Sequence, residues 1–118
     1  MAGEVSFIEL GAADAGRGRT FYSQLFGWSW DEGPHGGATS NSAGVPLGIH
    51  GDDADASPYV FFRVDEIEAA AERVRELGGK VDPMDLDGSE ESVALYGRFV
   101  MCRDDQGSAF GLHQPPAA

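Results

Sequence analysis

The feature that most restricts the fold is an ending that occurs twice. Gly44-Val45-Pro46-Leu47-Gly48-Ile49-His50 lies over Gly107-Ser108-Ala109-Phe110-Gly111-Leu112-His113, a Gly-x-x-x-Gly-x-His frame displaced by 63 residues. Upstream, a displacement of 52 residues places Phe7 on Tyr59, Asp14 on Glu66, Leu25 on Leu77 and Gly27 on Gly79. The 11 extra residues fit an acidic insertion around residues 85–92. A period of roughly 50 residues is the mark of a duplicated supersecondary unit. In a chain of 118 residues, two such units share one domain rather than forming two independent ones.

The elements between these landmarks follow from local pattern. Residues 5–10 read as a strand that Glu9 interrupts. Asp14 caps a helix whose apolar face carries Gly18, Phe21 and Leu25, and Gly27 supplies its left-handed stop. Residues 28–31, 38–42 and 45–50 read as three short strands, with a glycine-rich turn at 33–37. The acidic stretch 51–58 reads as a linker between halves. Residues 59–64 form the next strand, and Asp65 with Glu68 makes a capping-box-like start. Ile67, Ala71, Val74 and Leu77 then follow a helical stripe that Gly78-Gly79 ends. Beyond a short strand at 80–81, residues 82–92 read as a loop, 93–102 as a long strand, and 108–113 as the last strand. Each half therefore runs strand, helix, strand, strand, strand. The class is α+β, with βαβββ modules at about 4–51 and 58–114 within a single domain over 1–118.

Composition narrows the function classes. Apolar residues make up 42% of the chain, enough for a packed core. With 20 acidic and 8 basic side chains the net charge is −12, so nucleic acid and anionic lipid are not expected partners. No run approaches the roughly 20 apolar residues of a membrane-spanning helix. The first ten residues lack the basic and apolar regions of a secretory signal. Cys102 stands alone, which excludes an internal disulfide and a cysteine-rich zinc site and fits a reducing cytoplasm. It has no basic neighbour on its own strand face, so a reactive thiol is not expected.

Several short motifs fall in a recognisable order. They are Phe21-Tyr22 and Leu25-Phe26-Gly27-Trp28 around the first helix, and Val64-Asp65-Glu66-Ile67 opening the second. Leu77-Gly78-Gly79 closes that helix, and Asp104-Asp105-Gln106-Gly107 precedes the last strand. Together with the duplication, this pattern resembles the vicinal oxygen chelate superfamily, which includes glyoxalase I, bleomycin-resistance proteins and extradiol dioxygenases. The resemblance implies a curved, cup-shaped mixed sheet with helices outside and the ligand in the concave face. It also implies a homodimer, since small open sheets leave edges and apolar faces to cover. Metal sites of that family draw one ligand from each of four strands. Here those positions fall on Phe7, Gly48, Tyr59 and Gly111. Phe and Gly carry no donor side chain and Tyr is an uncommon ligand, so no metal and no cofactor is expected.

Strand alternation then names the lining of the cup. If those four positions face inward, Glu9, His50, Phe61 and His113 do as well. Glu9, His50 and His113 are the candidate acid–base groups: an inward carboxylate is costly unless paired or protonated, and histidine titrates near neutrality. A structural reading stands beside this, with Glu9 satisfied by backbone or arginine and the histidines solvated at strand ends. Phe7, Tyr59, Phe61, Tyr96 and Arg98 complete the candidate ligand-binding set, Tyr96 and Arg98 sharing a face of the long seventh strand. Arg98 anchors an anionic group, pairs with Glu9, or joins a surface ion pair. Trp28 and Trp30, two residues apart, share a strand face and suit core or dimer packing. The expected function is metal-free binding of a small hydrophobic or aromatic molecule. The alternative is a glyoxalase-like lyase or isomerase, either through acid–base chemistry or through a divalent metal on relocated ligands Glu9, His50 and His113.

Overall fold

A computed structural model describes residues 2–33, 37–82 and 89–117, and the chain divides into two compact units, Phe7–Tyr59 and Met1–Ser6 with Val60–Ala118. The turn expected at 33–37 and the loop at 82–92 lie partly outside the described residues.

The first unit contains β1 (Val5–Gly11, whose first two residues belong to the other unit), α1 (Ala15–Phe26), β2 (Asp31–Glu32), β3 (Ala38–Ser40) and β4 (Leu47–His50). Its strands lie in the order β2-β3-β4-β1, with β4 parallel to β1 and the other pairs antiparallel. Leu10, Ala38, Leu47 and Ile49 form the buried core, with Tyr22, Trp28 and Trp30 packed against it. Asp14 caps α1 by accepting the Arg17 N–H at 3.0 Å, and Gly27 ends it at φ 77°.

The second unit contains β5 (Tyr59–Arg63, whose first residue belongs to the first unit), α2 (Ile67–Glu76), β6 (Lys80–Val81), α3 (Glu90–Tyr96), β7 (Arg98–Arg103) and β8 (Ala109–Gln114). Its order is β5-β8-β7-β6, again with one parallel pair, β5 with β8. Ile67, Val100, Cys102 and Leu112 are its core, joined by Ala70 and Val74 of α2. The first unit is a βαβββ module, the second repeats that order with α3 inserted between β6 and β7, and the α+β class is as expected. Register makes the duplication explicit. Glu9 faces Gly48 and Gly11 faces His50 in one unit, as Phe61 faces Gly111 and Arg63 faces His113 in the other. The displacements of 52 and 63 residues convert one set of pairs into the other.

Four local expectations are corrected. Phe21 and Leu25 do not face the sheet: they are 59% and 58% exposed, and α1 rests on Gly18, whose missing Cβ leaves room for Ile49 Cδ1, and on Tyr22. The stripe through positions 18 and 22 wins because only glycine allows so close an approach. Trp28 and Trp30 precede β2 instead of sharing a strand. They form an aromatic group with Tyr22 and Phe26, and Trp30 Nε1 donates to Ser23 Oγ at 3.1 Å. The capping box at Asp65 is absent. Glu66 is the N-cap without a side-chain bond, and Gln114 Oε1 accepts the Ile67 N–H at 2.8 Å. Finally, the long strand at 93–102 is shorter, because residues 93–96 belong to α3. Ser89 caps that helix at Ser92 N, and Glu90 and Glu91 occupy its first turn, where carboxylates favour a helix.

Candidate functional site

The first unit gathers a chain of four polar side chains. Strand alternation sends Leu47 and Ile49 to the helix side, so Gly48 and His50 face the other way. Across the parallel pair, Glu9 occupies the space above Gly48. A Cβ on Gly48 would overlap Glu9 Oε1 and meet the Phe7 ring at 3.1 Å. Phe7, Glu9, Gly48 and His50 thus share one face.

His50 is held from both ends. Its Nδ1 lies 2.6 Å from Glu9 Oε2, and its Nε2 lies 2.8 Å from Asp53 Oδ2. Tyr59 donates its hydroxyl to the same Asp53 oxygen at 2.9 Å. Ionised carboxylates only accept, so with both ionised the imidazole carries a proton on each nitrogen. Burial alone would lower the His50 pKa, but the bonds and charges of Glu9 and Asp53 outweigh it and leave it raised. Burial raises the Glu9 pKa against the lowering effect of His50. Asp53 is lowered by its hydrogen bonds from His50 and Tyr59, and Tyr59 is raised by its bond to Asp53. The side chains are part-buried, His50 at 39% exposure, Asp53 at 31% and Glu9 at 23%, so a solute can reach them.

Asp53 comes from the stretch expected to be a mere linker. Instead, residues 51–56 fold back on the unit: Asp52 and Asp53 donate their N–H groups to Ala13 O and Ala12 O at 3.1 and 3.0 Å. Asp52 and Asp55 take left-handed φ values of 56° and 63°, which aspartate tolerates better than most residues. Gly11 leaves the space that Asp53 fills, since a Cβ there would meet Asp53 Oδ2. The sequence carries no more than a faint trace of this, an aspartate three residues past His50, because the register that sets Gly11 opposite His50 is visible only in the fold.

Of the remaining candidates, Phe61, Tyr96, Arg98 and His113 belong to the second unit. Phe61 is 1% exposed, its ring lying over Gly111 as Glu9 lies over Gly48. His113 is buried rather than at a rim. Its Nε2 donates to Tyr96 O at 2.7 Å, which leaves Nδ1 to accept from Ser6 Oγ at 2.9 Å. It stacks on Phe99 at 4.3 Å, and burial lowers its pKa. Tyr96 ends α3 and shares no strand with Arg98. Arg98 joins a surface ion pair, donating to Glu68 at 3.0 Å. Cys102 is buried, with its pKa pushed up to about 11, chiefly by burial, which makes it a poor nucleophile.

The fold family implies a metal, and these residues do not fit one. Phe7 and Gly48 offer no donor, and both His50 nitrogens already face carboxylates, so a metal would have to displace one of them. Among the described residues no group of three or more His, Cys, Asp or Glu is arranged to hold an ion. None of the candidate residues lines the shallow hollow beside α1, bordered by Ala12, Asp14, Arg17 and Phe21. No helix among the described residues is long and apolar enough to cross a membrane.

Known proteins agree with this architecture. CFP32 of Mycobacterium tuberculosis, whose name marks it provisionally as a glyoxylase, is 26% identical over 95% of this chain and 46% of its own length. The anthracycline biosynthesis protein DnrV of Streptomyces peucetius is 29% identical over 93% of this chain and 46% of its own. The chain thus spans about half the length of these relatives. Among solved structures, methylmalonyl-CoA epimerase from Mycobacterium tuberculosis superposes with a TM-score of 0.63 at 16% identity, covering 98% of this chain and 89% of that one. A 2,2',3-trihydroxybiphenyl 1,2-dioxygenase from Sphingomonas wittichii gives 0.57 at 14% identity, over 100% of this chain and 42% of that one. These likenesses show the fold, that of the vicinal oxygen chelate superfamily. Residues 7–113 match the glyoxalase-like domain family, and the chain belongs to it.

Proposed function

We propose that this protein binds a small hydrophobic or aromatic molecule without a metal, at the face of the first unit that carries Phe7, Glu9, Gly48, His50, Asp53 and Tyr59. The observation that carries the reading is the hydrogen-bonded chain Glu9–His50–Asp53–Tyr59 set beside an aromatic ring and a glycine floor. Convergent polar groups against an apolar wall are what a small-molecule site needs. The name of the Streptomyces relative, an anthracycline biosynthesis protein, supports an aromatic ligand. Metal analysis of the purified protein is expected to give well under one equivalent of zinc, nickel or iron, while native mass spectrometry of fresh protein reveals a bound organic mass. A stoichiometric metal overturns the metal-free reading.

A second reading is favoured by the Glu9–His50 bond itself. A carboxylate with a raised pKa beside an imidazole suits proton transfer α to a carbonyl, as in a glyoxalase-like lyase or isomerase. Glu9 takes the proton from the hydroxyl-bearing carbon next to the carbonyl and delivers it to the former carbonyl carbon of the resulting enediolate, while the hydroxyl proton passes to the other oxygen, so that nothing is gained or lost overall. Once a ligand is known, Glu9→Gln abolishes turnover with binding largely kept if the protein is an enzyme. His113, sealed beneath Ser6 and Tyr96, is better suited to holding its unit together than to acid–base work. The protein is further proposed to be a cytoplasmic homodimer. The single buried Cys102 supports a reducing compartment, and exposed Phe21, Leu25 and Phe26 on α1 support an apolar contact.

A further inference from the structure

We infer that the site around Glu9 and His50 selects ligands that bring their own hydrogen-bond donor, uncharged or cationic, and rejects anions such as carboxylates and phosphate esters. The inference rests on the reading of this group as the ligand site and adds the class of ligand it takes. Its basis is a count of donors and acceptors. The group holds three polar hydrogens that point at protein atoms: His50 directs one ring nitrogen at Glu9 and the other at Asp53, and Tyr59 directs its hydroxyl at Asp53. No donor of the group is left over for a ligand. Acceptors are left over. Among the described residues of 7–59 no donor reaches Glu9 Oε1, which lies over Gly48, and the bonds to Asp53 all use Oδ2, leaving Oδ1. A solute entering here meets oxygen lone pairs.

Charge acts in the same direction. Two carboxylates around one imidazolium leave the group at −1. The unit's only arginine or lysine side chains, Arg17 and Arg19, lie on α1, on the opposite side of the sheet from Glu9 and His50. Arg19 is moreover 3.7 Å from Glu32. The loop that delivers Asp53 adds Asp52 and Asp55. An anion would meet like charge with no donor to compensate, whereas an alcohol, phenol, amide or ammonium group satisfies the open acceptors.

Three probes of one shape test this: benzyl alcohol, benzylamine and benzoate, titrated at pH 7 while the His50 imidazole resonances are followed by NMR. Benzyl alcohol and protonated benzylamine are expected to shift those resonances, and benzoate to bind roughly tenfold or more weakly. In Glu9→Gln, where an amide adds a donor and removes a charge, the preference against benzoate is expected to shrink by about tenfold. Asp53→Asn provides the same comparison if Glu9→Gln fails to fold. Benzoate bound at His50 as tightly as benzyl alcohol overturns the selection while leaving the site in place. The absence of any His50 response to all three probes overturns both the site and its selectivity.

Discussion

At the scale of single residues, two glycines decide what the site is. Gly48 and Gly11 leave the volumes that Glu9 Oε1 and Asp53 occupy, and their partners across the parallel pair are Glu9 and His50. Gly48→Ala is therefore expected to push the Glu9 carboxylate off His50, lower stability by about 1–3 kcal/mol and lower the His50 pKa together. Denaturant unfolding and an imidazole titration would show both, and an unchanged titration would count against the packing described. The histidines give opposite pH signatures. The His50 pKa is raised from 6.5, so its stabilising contribution is full below that pH and is lost as pH rises through the raised value. The His113 pKa is lowered from 6.5, so its contribution is intact above that pH and is lost as pH falls toward the lowered value. Because His50 and Glu9 act in the opposite direction over this range, the His113 effect is read as a difference: as pH falls from 7 to 5, the unfolding free energy of His113→Phe should rise relative to that of the wild type. Glu9 and His50 were legible as sharing one face of the first unit's strands because alternation and the repeat fix that face. Asp53 was not legible, because its position depends on how an irregular loop folds back onto Ala12 and Ala13.

At the scale of elements, the repeat was the strongest signal: it sets Asp14 opposite Glu66, and these are the two N-caps, although the capping-box pattern drew the reading of the second helix start to Asp65. Their chemistry differs. Asp14 bonds the Arg17 N–H, while Glu66 makes no cap bond and Gln114 takes over at Ile67. Asp14→Ala should cost about 1 kcal/mol and Glu66→Ala only a few tenths, measured by thermal or denaturant unfolding. Equal costs would show that the two caps work alike. Helix α3 was hidden because a short apolar run such as Val93-Ala94-Leu95-Tyr96 has no period that separates strand from helix. Its capping signals, Ser89 followed by two glutamates, were absorbed into an acidic loop. On α1 the larger apolar side chains drew the reading to Phe21 and Leu25, although a glycine stripe allows the closer approach.

At the scale of the whole molecule, the class and, apart from α3, the order of elements were legible because duplication states the same pattern twice. Of the four positions that the resemblance assigns to metal ligands, Phe7, Gly48 and Gly111 lack a donor side chain, which residue type alone decides, and Tyr59 spends its hydroxyl on Asp53. A net charge of −12 on 118 residues implies self-repulsion, so the midpoint of thermal unfolding should rise by a few degrees between low and moderate salt. No rise would mean that the charges are already compensated by their neighbours. The account as a whole stands on His50 as a cation clasped by two carboxylates. Nitrogen-15 NMR of the imidazole at neutral pH tests that most directly. Both ring nitrogens are expected to carry protons, with titration above 6.5 in the folded protein and no change on adding zinc. A bare ring nitrogen at pH 7 that binds added zinc would contradict it.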